Sequence, residues 1–294
     1  MWLLILAGLT GLGVLILNMT GVDQDRDFSP AIVLIAYSAS LAALIATAVC
    51  RGDFTVGSLL RQTLKWRVDP RWYVLALMGP AVLVLASNGI YRLAGGDPQW
   101  SAFLDVGVIT SGLGALIAGS LGEEIGWRGF AQPLLQRRYG ALSAAAIVGV
   151  IWSAWHLWPL IAPGGSDLFG AANIAQTFVR LIATSIIYAW IYNRTNGSVL
   201  LVMLAHAGHN IAIDLMPPAN DTVGLMVAFA YLTVAVVVVR CAGPELGGPD
   251  LGGIAAQFDG VAVGVTDIHA RRPSLRSVDT VRSVRARKRG DEFI

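Results

Sequence analysis

Apolar runs of about twenty residues, broken by short polar stretches, set the pattern of this chain. A helix needs roughly 20 predominantly apolar residues to cross a bilayer core of about 30 Å. Eight stretches meet or approach that length: Trp2–Thr20, Ala31–Cys50, Trp72–Leu93, Val106–Gln136, Ala141–Ile161, Ala171–Tyr192, Ser198–Met216 and Thr222–Arg240. The first lacks the basic flank and the A-x-A site of a signal peptide, so it reads as a retained span. The pattern predicts an all-α integral membrane protein with an eight-helix transmembrane bundle in residues 1–242.

The charges between these runs add an orientation. Arg51–Arg71 holds five basic residues, Arg137 and Arg138 form a basic turn, and Arg194 marks another. The alternate loops are acidic: Asp23, Asp25 and Asp27 against Arg26, then Asp97 with Asp105, then Asp167, then Asp221. Lys and Arg concentrate in cytoplasmic loops, so the alternation predicts that both termini are cytoplasmic. From Gly243 to Ile294 the long apolar runs stop and Gly/Pro punctuation begins. Eight of the 21 Lys+Arg lie between Arg271 and Arg289. Residues 243–294 therefore read as a basic, largely disordered cytoplasmic tail, able to touch anionic headgroups or simply to reinforce topology.

Composition agrees with a membrane protein and narrows the partners. Hydrophobic residues make up 55% of the 294 and charged residues 14%, against about 25% charged in soluble domains. Net charge is +2, so no global basic field points to nucleic acid. The two cysteines, Cys50 and Cys241, stand far apart at span ends and form no CxxC pair, which excludes a zinc knuckle or a redox dithiol. Abundant Arg with only two Lys, Lys65 and Lys288, suggests a GC-rich bacterial genome and hence a bacterial plasma membrane.

Candidate chemistry lies in the polar residues inside the spans, which are costly there and usually face a cavity or one another. The fourth span carries Glu123, Glu124 and Arg128, the fifth His156, and the seventh His206, His209 and Asn210. The sixth carries Arg180 on a stripe with Asn173, Gln176, Thr177 and Thr184. At about 1.5 Å per residue, Glu123 lies about 21 Å in from Arg137, His156 about 22 Å from Ala141, and His206 and Asn210 about 12 and 18 Å from Ser198. Three helices thus bring polar groups to overlapping depths. The eighth span has no charge between Thr222 and Val239 and reads as a peripheral, lipid-facing helix.

Spacing separates roles. Glu124 and Arg128 are i, i+4 and can pair on one face. Glu123 points about 100° away, which makes it the freer carboxylate and the better general base. His206 and Asn210, also i, i+4, present an imidazole and an amide that suit a developing oxyanion. His156 can hold the attacking water with Glu123 or move its proton. Against these stand structural readings: a purely structural Glu124–Arg128 pair, His209 and the Arg180 stripe as interhelical contacts, Trp152, Trp155 and Trp158 as packing residues, and Trp72 and Trp100 as interface anchors.

Three of these clusters resemble one known family. EEIGWR at Glu123–Arg128 resembles the EExxxR motif of the CPBP/Abi intramembrane endopeptidases, which include type II CAAX prenyl proteases and lysostaphin-resistance-like proteins. Trp152-x-x-x-His156 resembles their aromatic-x-x-x-His motif, and His206-x-x-x-Asn210 their HxxxN. The resemblance spans about residues 106–212. It implies an eight-span fold and peptide-bond hydrolysis in the membrane, with Glu123 and His156 activating water and His206 and Asn210 stabilising the oxyanion. Glu124 and Arg128 are supports. Position 209, often apolar or aromatic in the motif, is His here, and this keeps a zinc centre of His156, His206 and His209 in view beside the favoured cofactor-free mechanism.

The expected function is an intramembrane endopeptidase acting on a membrane-embedded or lipid-anchored peptide, its substrate and oligomeric state unassigned. The alternatives are a non-catalytic bacteriocin-immunity or scaffold protein of the same fold and, more remotely, a transporter, for which no internal repeat is evident.

Overall fold

A computed structural model describes residues 1–22, 29–50, 54–98, 114, 119–163 and 171–248. The acidic loop at 23–27, Trp100, Asp105, most of 106–118, the loop at 166–170 and the tail from 249 lie outside the described residues.

All regular structure among the described residues is helical. The long helices are α1 (Trp2–Thr20), α2 (Pro30–Val49) and α4 (Pro70–Leu93), with a short α3 (Val56–Thr63) between the last two. The EExxxR segment, α5, runs unbroken through Gly122–Glu124, Ile125–Ala131 and Gln132–Tyr139. Then come α6 (Ala141–Trp155), a 3₁₀ turn at Trp158–Ile161, α7 (Ala171–Arg194), α8 (Val199–Leu215) and α9 (Asp221–Ala242). Among the described residues, six helices are long and apolar enough to cross a membrane. Of the eight expected spans, the seventh is α8, apolar but 17 residues long, and the fourth falls partly outside the described residues.

Helix starts follow local chemistry. Ser29 accepts from the Ala31 amide, with Pro30 at the first helical position. Thr55 and Ser58 close a capping box on α3. Ser198 caps α8 through Leu201, and Asn220 caps α9 through Val223. Alpha-3 is an element that hydropathy alone did not indicate. Its Gln62 donates to the Gly129 carbonyl and accepts from Tyr192, so it ties α3 to the middle of α5 and to Tyr192.

Packing pairs α1 with α2, α4 with α8, α6 with α7, and α7 with α9. Small residues make the close approaches, as expected where lipid supplies no hydrophobic drive between helices. A Cβ on Gly122 would lie 2.6 Å from the Ala36 carbonyl oxygen, and one on Gly126 would overlap the Ala39 carbonyl. These two glycines, four apart, let α5 lie against the backbone of α2. Large side chains such as Leu4, Met78, Val82 and Phe229 face outward and form the apolar exterior of an integral membrane protein.

Two packing expectations are corrected. Trp72 is no interface anchor: it is buried against Trp190, with ring centroids 4.9 Å apart. Alpha-9 is more than a peripheral helix, because its buried Tyr231 reaches the polar cluster. At its end the chain turns at Gly243 in a positive-φ conformation and folds back. Leu246 is buried, and the Leu142 amide donates to the Pro244 carbonyl.

Candidate active site

The site is built on an irregular helix. Alpha-5 changes from α to π winding at Ile125 and returns at Gln132. Such π segments are rare and recur at functional sites. Here the wider turn still allows two i, i+4 contacts. Arg128 Nη1 lies 3.1 and 3.0 Å from the two Glu124 oxygens, and the Trp127 indole donates to Glu123 Oε2 at 3.3 Å.

Glu124 and Arg128 are fully buried. The guanidinium lies over the Trp152 ring at 4.4 Å and the Tyr188 ring at 5.0 Å. Arg128 Nε and its second terminal nitrogen make no hydrogen bond among the described residues, so the ring faces supply their attraction. Glu124 also has a partner on another helix: His206 Nδ1 lies 2.8 Å from Glu124 Oε1. A carboxylate oxygen only accepts, so Nδ1 carries the proton and Nε2 is the remaining ring nitrogen.

Glu123 is not the free carboxylate that spacing suggested. It is buried, and its Oε2 accepts from the Trp152 indole at 2.6 Å as well as from Trp127. Trp152, expected as packing, therefore holds Glu123 across the α5–α6 interface. Its own backbone carbonyl accepts from His156 Nδ1 at 2.9 Å. His156 sits where α6 ends, outside the regular helix, and presents Nε2.

Four of these side chains converge. Trp152, His156, His206 and Asn210 line one cavity of about 240 Å³, together with Arg180 and Thr184 of α7. Glu123 is not among its lining residues; it accepts from the indole of Trp152, which is. Gly119, four residues before Glu123, lies against Asn210: a Cβ there would be 3.1 Å from the amide nitrogen. The structure thus brings His156, His206 and Asn210 to one space, with Glu123 bonded to the lining residue Trp152 and Glu124 to the lining residue His206.

His209 is engaged elsewhere. Its Nε2 lies 2.5 Å from Arg180 Nη1 and its Nδ1 2.7 Å from the Tyr231 hydroxyl. Arg180 can only donate, so Nε2 accepts and Nδ1 donates to Tyr231. Both ring nitrogens are used, which removes His209 as a zinc ligand. Among the described residues, no three His, Cys, Asp or Glu side chains stand close enough to hold a metal. The residues present do not fit a three-ligand zinc centre.

Residues 105–212 match the family described as type II CAAX prenyl endopeptidase Rce1-like. The chain is also similar to a CAAX prenyl protease 2 of Methanococcus maripaludis, 27% identical over 180 residues. That alignment covers 56% of this chain and 64% of the relative, so the chain spans somewhat less than two thirds of the relative's length. All three motifs and the cavity-lining His156, His206 and Asn210 fall inside the matched segment.

Proposed function

We propose that the chain is an intramembrane endopeptidase that uses a glutamate-activated water. The observation that carries this reading is a buried carboxylate, Glu123, clamped by two indole N–H groups, one of them from Trp152, which lines a cavity with His156, His206 and Asn210. One Glu123 oxygen is occupied by the indoles, which leaves the other to accept a proton from water. His156, with Nδ1–H spent on a carbonyl, offers Nε2 as a second acceptor to orient that water. The water oxygen attacks the scissile carbonyl carbon as Glu123 takes its proton. The carbonyl oxygen becomes an oxyanion.

Asn210 supplies an amide N–H to the oxyanion. His206 supplies Nε2–H in its imidazolium form, whose charge Glu124 balances through Nδ1. Collapse breaks the C–N bond, and Glu123 returns its proton to the leaving amine. Burial strengthens each of these contacts, because water competes less at low dielectric.

Basic-loop alternation supports cytoplasmic termini and cavity access from that side, and the Arg-rich, Lys-poor composition supports a bacterial plasma membrane. The substrate is a membrane-embedded or lipid-anchored peptide. The relative's name adds prenylated proteins to the set worth testing.

The test compares membrane peptides from cells carrying the wild-type chain or Glu123→Ala, then assays the differing peptides with purified protein, with and without a prenyl group. Turnover by wild type and its loss by about 10²–10⁴-fold in the variant is the expected result. Equal peptide profiles and no turnover would leave the non-catalytic binding protein as the better reading.

A further inference from the structure

Three long apolar helices end together at one groove. Alpha-4 starts at Pro70, α7 ends at Arg194 and α9 ends at Ala242. Loop charge assigns each of these ends to the cytoplasmic side. Their terminal turns border a groove of about 560 Å³. It shares no lining residue with the polar cavity of the candidate active site.

The groove is layered. Arg71 and Arg194 stand at its mouth, on the first turn of α4 and the last of α7. One turn deeper the same helices place Leu75 and Trp190, each four residues from its arginine and so on the same helix face. The bed is the Trp72–Trp190 pair, with ring centroids 4.9 Å apart. Leu75 and Val237 are 38% and 53% exposed, so the groove opens sideways onto the apolar exterior that meets lipid.

The charges at the mouth favour an anion. Arg194 makes no ion pair among the described residues. Arg71 Nε lies 3.4 Å from Asp69 Oδ2, but both side chains are more than half exposed, and such a pair contributes little. A soluble anion would use the mouth and leave the bed empty; a plain hydrocarbon chain would do the reverse. An amphiphile with an anionic head uses both, and basic pockets between spans on the cytoplasmic side suit such heads.

We infer that this groove binds an anionic glycerophospholipid, its phosphate held by Arg71 and Arg194 and an acyl chain laid over the Trp72–Trp190 pair. The lipid ties α4 to α7 and α9 and stabilises the folded bundle by mass action. Alpha-4 also packs on α8, which carries His206 and Asn210. The inference is independent of the proteolytic reading, and its test needs no turnover.

Thermal unfolding of the full chain in detergent, with phospholipid titrated in, provides that test. Dioleoyl phosphatidylglycerol should raise the unfolding midpoint saturably, with an apparent affinity about tenfold or more above that of dioleoyl phosphatidylcholine. Arg71→Gln and Arg194→Gln should each weaken binding by up to about fivefold, and the double variant should lose the preference. Asp69→Asn keeps the helix cap and removes the competing carboxylate, so it should strengthen binding about twofold. Val237→Trp fills the groove without changing charge and should abolish saturable binding. Arg61→Gln, on α3 and outside the groove, should change nothing. All five side chains are exposed, so the variants keep their core.

Equal affinity for the two lipids would overturn the assignment, as would a preference that survives in the double arginine variant. Glycerol 3-phosphate, the head without acyl chains, should give no shift at the same concentration; a shift equal to that of the lipid would make this a soluble-anion site instead. Wild-type binding by Val237→Trp would place the lipid elsewhere. Conversion of a dimer to a monomer by Val237→Trp, with no lipid preference in wild type, would make the groove an interface between two copies.

Discussion

His206 Nδ1 lies 2.8 Å from Glu124 Oε1, so the glutamate that pairs with Arg128 on its own helix also sets the orientation of an imidazole on another. The second Glu of the motif is therefore more than a partner for Arg128. It joins α5 to α8 and decides which nitrogen His206 presents to the cavity.

Breaking that junction from the arginine side should be expensive. Arg128→Met leaves the buried Glu124 with His206 as its remaining partner in a site closed to water, with an expected cost of about 3 kcal/mol and a marked fall in folded yield. Adding Glu124→Gln to Arg128→Met removes the stranded charge and should recover much of that yield without restoring function. Thermal unfolding in detergent, read together with size-exclusion yield, checks both. A double variant no more stable than Arg128→Met would show that the loss comes from packing against Trp152 and Tyr188.

Trp152 should matter for turnover through one atom. Trp152→Phe keeps a ring under Arg128 but removes the 2.6 Å bond to Glu123. A hydrogen bond to a charged group is worth about 1.5–3 kcal/mol, so kcat should fall about ten- to hundredfold with the fold intact. An unchanged kcat would assign Trp152 to packing alone.

Prolonged chelation should leave activity intact, and His209→Phe should keep substantial turnover where His206→Ala does not. His209 spends both nitrogens on Arg180 and Tyr231. The decisive contrary result is stoichiometric zinc in active protein, lost with activity on chelation and restored with it on readdition.

Topology follows from loop charge. A cytoplasm-active reporter fused after Arg138 or at the C-terminus should be active, and one inserted at residues 166–170 should be silent. The opposite pattern would reverse the orientation and the side from which substrate enters.

Sequence alone determined what depends on local geometry. The boundaries of α1 were legible as Trp2–Thr20 because an apolar run of bilayer length ends at a glycine suited to a left-handed cap. The Glu124–Arg128 pair was legible because i, i+4 contacts belong to a single helix and survive even its π turns. The motif residues stood out because ionisable groups in apolar runs are rare.

Tertiary structure decided the rest. That Trp152 binds Glu123, that Glu124 reaches His206 and that Tyr231 braces His209 all depend on the rotation and axial offset of one helix against another. Periodicity gives the face of each helix but not the face opposite it. For this reason Trp152 read as packing, His209 as a zinc candidate and α9 as a bystander, until the contacts across the α5–α6, α7–α8 and α8–α9 interfaces gave each its partner.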